Sequence, residues 1–317
     1  MTAPFHLCVC AFKGLQNLPL FVARQLGFFA GQGLSVELVY TAGSVPQLSG
    51  LARGAYHLVQ TAPDNVVHIN SNPSAFGLEP AIEPALRMLS GGSTGALRLY
   101  AQPAVTGFAD LRGANLGVDN PGSGFALVLR DMLARNGLEL DRDYRFVVAG
   151  GTSARLEALK HGTIAATILY LPFDLMAAEQ GFRLLAASPD YYPDYASLAT
   201  AGTRDWIEAH TGVVIGYLVA LRQALRWIYH PANAAAVQAL IVQELSSDLS
   251  VALAERAYTA FVDPAVGFGE TGWLDADGLQ QVIALRAAYG GLLKRSASPD
   301  DYLDLRWYHQ ASERLAS

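Results

Sequence analysis

The stretch from Asn17 to Ala62 repeats a helix and a strand twice, and this pattern constrains the fold more than any other part of the chain. The first helix opens the stretch, with Pro19 in its first turn, and Gly31 and Gly33 end it. Its apolar residues fall on one face at helical spacing: Leu18, Phe21, Val22, Leu26 and Phe29. An alternating strand over residues 35–40 completes the first unit.

The second unit carries clearer boundary signals. Ser44 and Gln47 match the spacing of a capping box, and Pro46 suits the first turn of a helix. Gly54 ends that helix before a predicted strand over residues 56–61. Two such units side by side form a parallel sheet whose helix N-termini gather at one edge, where open α/β sheets bind small ligands. The pattern therefore indicates ligand binding before any catalytic motif is considered.

Composition supports layers of helix and sheet and excludes two classes of partner. Of the 317 residues, 51% are hydrophobic and 16% are charged, which suits sheets buried on both faces. The net charge of −6 argues against nucleic acid, whose binding needs a basic surface. No apolar run approaches the roughly 20 residues that a membrane-spanning helix requires.

A second α/β series follows a connector between Pro103 and Gly113. Two short strands, over 86–90 and 96–101, flank a turn at 91–95 and precede this connector. The series itself comprises predicted strands over 115–118, 144–148, 164–169 and 182–187 and predicted helices over 125–136, 154–161 and 172–180. It is self-contained and has about the size of one small domain.

The last third of the chain is almost entirely helical after a return strand near 197–201. The predicted helices cover residues 214–229, 232–245, 251–261 and 277–293. Because they have no sheet of their own, we expect them to cover the first lobe. Trp307 and Tyr308 predict that the C-terminal tail also packs against the protein.

These patterns together predict a bilobal α/β fold with two chain crossings, near 98–102 and 196–202, that form a two-strand hinge. Lobe I is expected to contain residues 1–98 and 201–317, and lobe II residues 99–200. The helical C-terminal block then lies on lobe I.

Sequence motifs of common enzymes are absent from the chain. It has no Walker A lysine loop, no HExxH, no G-x-S-x-G and no Cys/His cluster at zinc spacing, so no metal or other cofactor is predicted. Cys8 and Cys10 lie two residues apart on a predicted strand, which places them on one face and makes a disulfide between them geometrically unfavourable. We expect two buried core thiols; a reactive or metal-binding role is the alternative.

Glycine and hydroxyl residues are concentrated where predicted helices begin after strands. Such junctions present unpaired backbone N–H groups and the positive end of the helix dipole, which suit carboxylate, sulfonate or other polar ligand groups. Plain helix capping needs the same residue types, but the repetition in both predicted lobes favours a binding cleft. The candidate ligand contacts at these junctions are Ser44, Asp64, Asn65, Asn120, Gly122, Ser123, Gly124 and Thr152.

Aromatic residues provide a candidate wall for the cleft. Tyr170 and Phe173 flank Pro172 at the end of a second-lobe strand, where they could stack on a ring or contact an alkyl group. Core packing of the two rings is the alternative. Phe12 is assigned to the core rather than to the cleft.

Two blocks of the sequence resemble a known family. The first lobe contains PLFVARQLGFFAGQGLSVELV, then GS, then LARGAYHLVQTAPDNVV; the second contains DLRGANLGVDNPGSGFALVLRDMLARNGLELDRDYRFV and LEALKHGTIAATIL. In this order they are similar to the solute-binding proteins of nitrate-, sulfonate- and thiamine-precursor-type ABC transporters. The resemblance implies a type II periplasmic-binding-protein fold, and it places Lys13 and Asn17 at the mouth of the cleft.

The resemblance implies a monomer that captures a small organic solute and delivers it to an ABC permease. Thiamine pyrimidine precursors, sulfonates and aromatic acids are the candidate ligands. A periplasmic location follows from the family, and a cytoplasmic one if Met1 is the native start, because MTAPFHLCVCAF does not resemble a signal peptide.

The same fold family also contains cytosolic enzymes, and a decarboxylase, desulfinase or pyrimidine-precursor synthase is the rival interpretation. In that case Cys8 or Cys10 could meet His57 or His68 as nucleophile and base. A ligand-responsive sensor module is a third possibility.

Overall fold

The structure is a computed structural model that describes residues 3–79, 83–92, 96–245, 249–264, 267–291 and 297–316. The strands are β1 (Phe5–Ala11), β2 (Leu34–Tyr40), β3 (Leu58–Thr61), β4 (Leu86–Ser90), β5 (Arg98–Ala101), β6 (Ala114–Val118), β7 (Tyr144–Val148), β8 (Ala166–Leu169), β9 (Arg183–Ala187) and β10 (Ala199–Thr203). The helices are α1 (Leu18–Gln25), α2 (Phe28–Gly31), α3 (Ser44–Ala52), α4 (Pro63–Ser71), α5 (Gly124–Arg135), α6 (Thr152–Lys160), α7 (Phe173–Glu179), α8 (Arg204–Ala209), α9 (Thr211–Tyr229), α10 (Ala234–Leu245), α11 (Val251–Phe261), α12 (Ala276–Leu285) and α13 (Arg306–Ala316).

The first sheet has five strands in the order β2-β1-β3-β10-β4. Strand β1 is parallel to both β2 and β3, as expected for strands joined by crossover helices. Strand β10 runs antiparallel between β3 and β4. The parallel pairing predicted from the two helix-strand units is therefore confirmed, and the return strand completes the same sheet.

The second sheet repeats this arrangement with the order β7-β6-β8-β5-β9. Strand β6 is parallel to β7 and β8, whereas β5 is antiparallel to β8 and β9. All of its strands come from one continuous part of the chain. We propose that the two sheets mark two lobes with the boundaries expected from the sequence, residues 1–98 with 201–317 and residues 99–200.

Two local predictions in the stretch from Asn17 to Ala62 are wrong. The first helix is interrupted at Gly27, whose φ of 72° is left-handed, so α1 ends at Gln25 and Leu26 is left 41% exposed. The capping box does not form, because Gly43 rather than Ser44 precedes the helix. The Gln47 side chain instead donates to the carbonyl oxygens of Cys10 and Gln60, both at 3.1 Å, and so ties α3 to β1 and β3.

The C-terminal helices pack mainly around the first sheet, as expected. Helix α9 contacts α1, α2 and α13, and α13 also contacts β4. Trp307 and Tyr308 are buried, which confirms that the tail packs. Helix α12 differs, because it contacts both α4 and α5. Helix α4 follows β3 of the first sheet and α5 follows β6 of the second, so α12 packs against one helix associated with each sheet.

The last long predicted helix is shorter than expected. It ends as an α-helix at Leu285, and a π-helical turn over Arg286–Gly290 follows. Its predicted end at residue 293, like residues 93–95 of the predicted turn, lies outside the described residues.

Candidate functional site: a cleft between the two sheets

A cleft of about 960 Å³, measured out to its open mouth, lies between the two sheets. Its first wall comes from the segment after β1, the end of β3 and the start of α4. The facing wall comes from the segments after β6, β7 and β8 and the starts of α5 and α6. These are the carboxyl ends of the parallel strands, where the loops of an open α/β sheet form ligand sites.

One buried cation faces this cleft. Arg155 on α6 is only 3% exposed, and its Nη1 donates to the carbonyl oxygen of Gly150 at 3.0 Å. Its Nη2 donates to Thr152 Oγ1 at 3.1 Å and to the carbonyl oxygen of Ile168 at 3.2 Å. These neutral partners orient the guanidinium without cancelling its charge. The arrangement therefore holds a fixed positive group at the wall of the cleft.

A carboxylate lies beside this cation. Asp119 follows β6 directly, and its Oδ1 is 3.9 Å from Arg155 Nη1, which is an ion pair without a direct hydrogen bond. Ser123 Oγ donates to the same oxygen at 2.7 Å and accepts a 3.4 Å bond from the N–H of Ala126. Ser123 thus caps α5 and orients Asp119 at the same time.

The remaining lining is largely apolar and aromatic. Phe125 and Tyr170 pack edge to face with ring centroids 5.9 Å apart, and Phe173 packs behind Tyr170 at 6.4 Å. Phe12 and Phe268 also line the cleft. The assignment of Phe12 to the core is therefore wrong. Such walls favour a ligand with an apolar or ring-containing body.

The floor of the cleft is a polar network that the protein already satisfies in large part. Gln60 Nε2 donates to Thr200 Oγ1 at 2.8 Å and to the Tyr217 hydroxyl at 3.0 Å. Asn65 Nδ2 donates to Thr61 Oγ1 at 2.8 Å. These bonds fix the positions of the floor side chains before a ligand arrives.

The structure brings some of the predicted ligand contacts to the cleft and places others elsewhere. Asn65, Ser123, Gly124, Thr152 and Tyr170 line it.

Lys13, Asn17, Ser44, Asp64, Asn120 and Gly122 lie outside the lining. Lys13 is exposed, and Asn17 is buried with its side chain donating to the carbonyl oxygen of Phe12. Ser44 is buried at the start of α3. Asn120 Oδ1 accepts a 2.8 Å bond from the N–H of Gly122, which is a local turn contact.

Asp64, Gly122 and Gly124 instead form a contact between two segments of the chain. Asp64 lies in the segment after β3 of the first sheet, and the two glycines lie in the segment after β6 of the second. Arg286 is 1% exposed and donates from Nε to Asp64 Oδ1 at 2.8 Å and from Nη2 to the other Asp64 oxygen. The same Nη2 donates to the carbonyl oxygen of Gly122 at 2.7 Å. A Cβ on Gly124 would lie 2.5 Å from Asp64 Cβ, so only glycine permits this approach. We call these four residues the Arg286 clamp.

The sequence patterns did not predict several of the residues that line the cleft, above all Asp119, Arg155, Gln60 and Phe268. Two of them had a usable signal, because Asp119 directly follows β6 and precedes the glycine-rich loop, and Arg155 lies one turn into α6. Phe268 comes from the helical C-terminal part, and no local pattern places it at the cleft.

The Cys/His pairs of the rival interpretation are not assembled as nucleophile and base. His57 Nδ1 accepts the backbone N–H of Cys8 at 2.8 Å, and its ring stacks on Trp206 at 5.2 Å. Burial raises the pKa of the Cys10 thiol to about 11, which opposes thiolate formation. Cys10 is fully buried as expected, whereas Cys8 is only half-buried. Within the described ranges no three or more His, Cys, Asp and Glu side chains form a group that could hold a metal ion.

Comparison with known families identifies the chain. Residues 6–242 match the model of the NMT1-like family. The protein belongs to this family. No curated protein matches its sequence.

Solved structures of low sequence identity share the fold of this NMT1-like protein. The periplasmic nitrate-binding protein of Synechocystis PCC 6803 is 14% identical over 98% of this chain and 89% of its own, with a TM-score of 0.81. The alkanesulfonate-binding protein of Xanthomonas axonopodis pv. citri, solved with MOPS, is 19% identical over 96% and 100%, with a TM-score of 0.76. A desulfurization enzyme is 15% identical over 98% and 99%, with a TM-score of 0.66. The protein therefore has the periplasmic-binding-protein fold, which occurs in both binding proteins and an enzyme.

Among the described helices, none combines the length and the apolarity that a membrane span requires.

Proposed function

We propose that this NMT1-like protein is the solute-binding component of an ABC importer and captures a small organic solute in the cleft. The observation that carries this proposal is the cleft itself, which combines a buried cation, Arg155, with the aromatic walls formed by Phe125 and Tyr170. A polar anchor on an apolar surface is the usual composition of a small-molecule site. The nitrate- and alkanesulfonate-binding proteins of the same fold support the transport role.

In this function the two proposed lobes close on the solute, and an ABC permease recognises the closed form. The protein acts as a monomer in the periplasm. Thiamine pyrimidine precursors, sulfonates and aromatic acids remain the ligand classes to test. For affinities between micromolar and nanomolar, the contacts must supply about 8 to 12 kcal/mol net.

The direct test is to identify what the protein carries. Compounds released from protein purified under native conditions are identified by mass spectrometry and then titrated back calorimetrically. The proposal expects saturable binding at one site and recovery of the compound unchanged. Conversion of the compound into a product by the purified protein would favour the enzyme interpretation instead.

A pair of tryptophan variants locates the site. Ser123→Trp introduces a bulky side chain at the cleft wall and is expected to abolish binding. Ser153→Trp introduces the same side chain at an exposed position of α6 outside the lining and is expected to bind as the wild type does. Unchanged affinity in a folded Ser123→Trp protein would remove this wall from the site.

A further inference from the structure

The charges that face the cleft are balanced. Among the described residues that line it, Asp119 and Arg155 are the two with a formal charge, and they lie 3.9 Å apart. A nitrate ion or an alkanesulfonate carries one net negative charge, so it would meet the carboxylate of Asp119 as well as the guanidinium. The negative charge of Asp119 would repel such an anion and oppose its binding, because the largely apolar lining of the cleft screens this repulsion poorly.

Asp119 retains capacity to accept hydrogen bonds. Its Oδ1 takes the bond from Ser123 and faces Arg155, whereas its Oδ2 has no hydrogen bond within the part of the chain that the structure describes. An ionised carboxylate has about four acceptor positions, and a cleft-facing one is best satisfied by a donor on the ligand. The side chain is 16% exposed, so a ligand in the cleft can reach it.

The short distance between Asp119 and Arg155 restricts the shape of the ligand's polar end. A donor for Asp119 and an acceptor for Arg155 must lie close together in the ligand, only a few bonds apart, because the two protein groups are only 3.9 Å apart. A carboxamide meets this condition, as does an α-amino acid with its ammonium and carboxylate groups. An anionic group alone supplies the acceptor but no donor.

We infer that the cleft selects a neutral or zwitterionic solute that presents a hydrogen-bond donor beside an acceptor on an apolar body, and that Asp119 determines this choice against simple monoanions. This inference rests on the proposed function and names the ligand class within it.

Matched probes test the inference. Benzamide and benzoate have nearly the same shape, but only benzamide has both a donor and an acceptor on one carbon, and L-phenylalanine differs from 3-phenylpropanoate only by its ammonium group. Calorimetric titration of the wild type with each pair is expected to favour the donor-bearing member by about tenfold or more, as a hydrogen bond to a charged group would give. Equal or tighter binding of benzoate and 3-phenylpropanoate would overturn the inference.

Asp119→Asn keeps the shape of the side chain and its ability to accept from Ser123, but it gives the cleft a net positive charge. The preference is therefore expected to move towards benzoate by about tenfold or more. The control Asp205→Asn changes the net charge equally at an exposed position on α8 and should leave the preference unchanged. If Asp119→Asn does not fold, as judged by its thermal melt, the wild-type ratios alone decide.

The compound recovered from native protein separates the two proposals. A recovered monoanion without any N–H or O–H donor overturns the inference and leaves the proposed transport function standing. A protein that carries no compound and binds none of the four probes contradicts the proposed function, and the inference with it.

Discussion

The strongest prediction about stability concerns the Arg286 clamp. In Arg286→Met, the carboxylate of Asp64 stays buried at 1% exposure but loses both hydrogen bonds from the guanidinium. Removing one partner of a buried ion pair costs about 3 to 5 kcal/mol, because the remaining charge has neither water nor a counter-charge. We therefore expect the free energy of unfolding to fall by about this amount at neutral pH.

The loss should depend on pH in a defined direction. Burial raises the pKa of Asp64, and the hydrogen bonds and charge of Arg286 oppose that rise. Without Arg286 the pKa of folded Asp64 rises further above the unfolded value of about 3.9. A folded state that holds the proton more tightly than the unfolded state is stabilised below that value and loses this stability as pH rises through the folded pKa. The deficit of Arg286→Met should thus be smaller at about pH 4.5 than at about pH 7.5.

Urea denaturation of both proteins at the two pH values measures this difference. Arg306→Met is the matched control, because Arg306 pairs with Asp304 and Glu208 at an exposed site with 60% side-chain exposure. Exposed pairs contribute about 0 to 1 kcal/mol. Adding Asp64→Asn to Arg286→Met should recover stability, since the buried charge is gone. A deficit no larger than that of Arg306→Met, or one that is equal at both pH values, would refute the reasoning.

Three other predictions concern buried groups. Since burial raises the pKa of Cys10 to about 11, native protein at neutral pH should react with iodoacetamide far more slowly at Cys10 than urea-unfolded protein does; equal rates would contradict this. Burial, with the charge of Arg286, lowers the pKa of His68 to about 4, so its NMR signals should not titrate between about pH 5 and pH 8, and stability should decline as pH falls below the unfolded pKa of about 6.5. A normal titration midpoint would rule this out. Gly124→Ala should lower the melting temperature, because the new Cβ would lie 2.5 Å from Asp64 Cβ. Gly151→Ala should not lower it, because there is open space around Gly151. Equal melting temperatures of the two variants would argue against the close approach of Gly124 to Asp64.

Patterns along the chain predicted the architecture well where boundaries were marked locally. The strand over residues 144–148 and the helix over residues 251–261 occur as predicted, because alternation and helical spacing are properties of the segments themselves. The interruption of the first helix at Gly27 was not predicted, since a glycine inside an apolar helical pattern does not by itself indicate a left-handed backbone conformation.

The cleft was predicted less completely, because its groups are assembled by contacts that are distant in sequence. Ser123 and Thr152 were found from their place at helix starts. Asp64 matched the same pattern, yet its partner Arg286 lies 222 positions away and occupies its carboxylate. Helix-start patterns therefore find the edge of the sheet that forms the site, but they do not distinguish a residue that faces a ligand from one that joins the two walls.

The order of strands also affects how the protein can be made. Strand β4 enters the first sheet only through β10, which lies more than a hundred residues later in the chain, whereas every strand of the second sheet falls within residues 98–187. A ribosome therefore releases all strands of the second sheet before the first sheet can close. During that interval β3 presents an unpaired edge, which is open to wrong partners. The segment that contains the second sheet can be expressed as one uninterrupted piece, but the first sheet can be rebuilt only from two separate pieces or by a circular permutation that joins them.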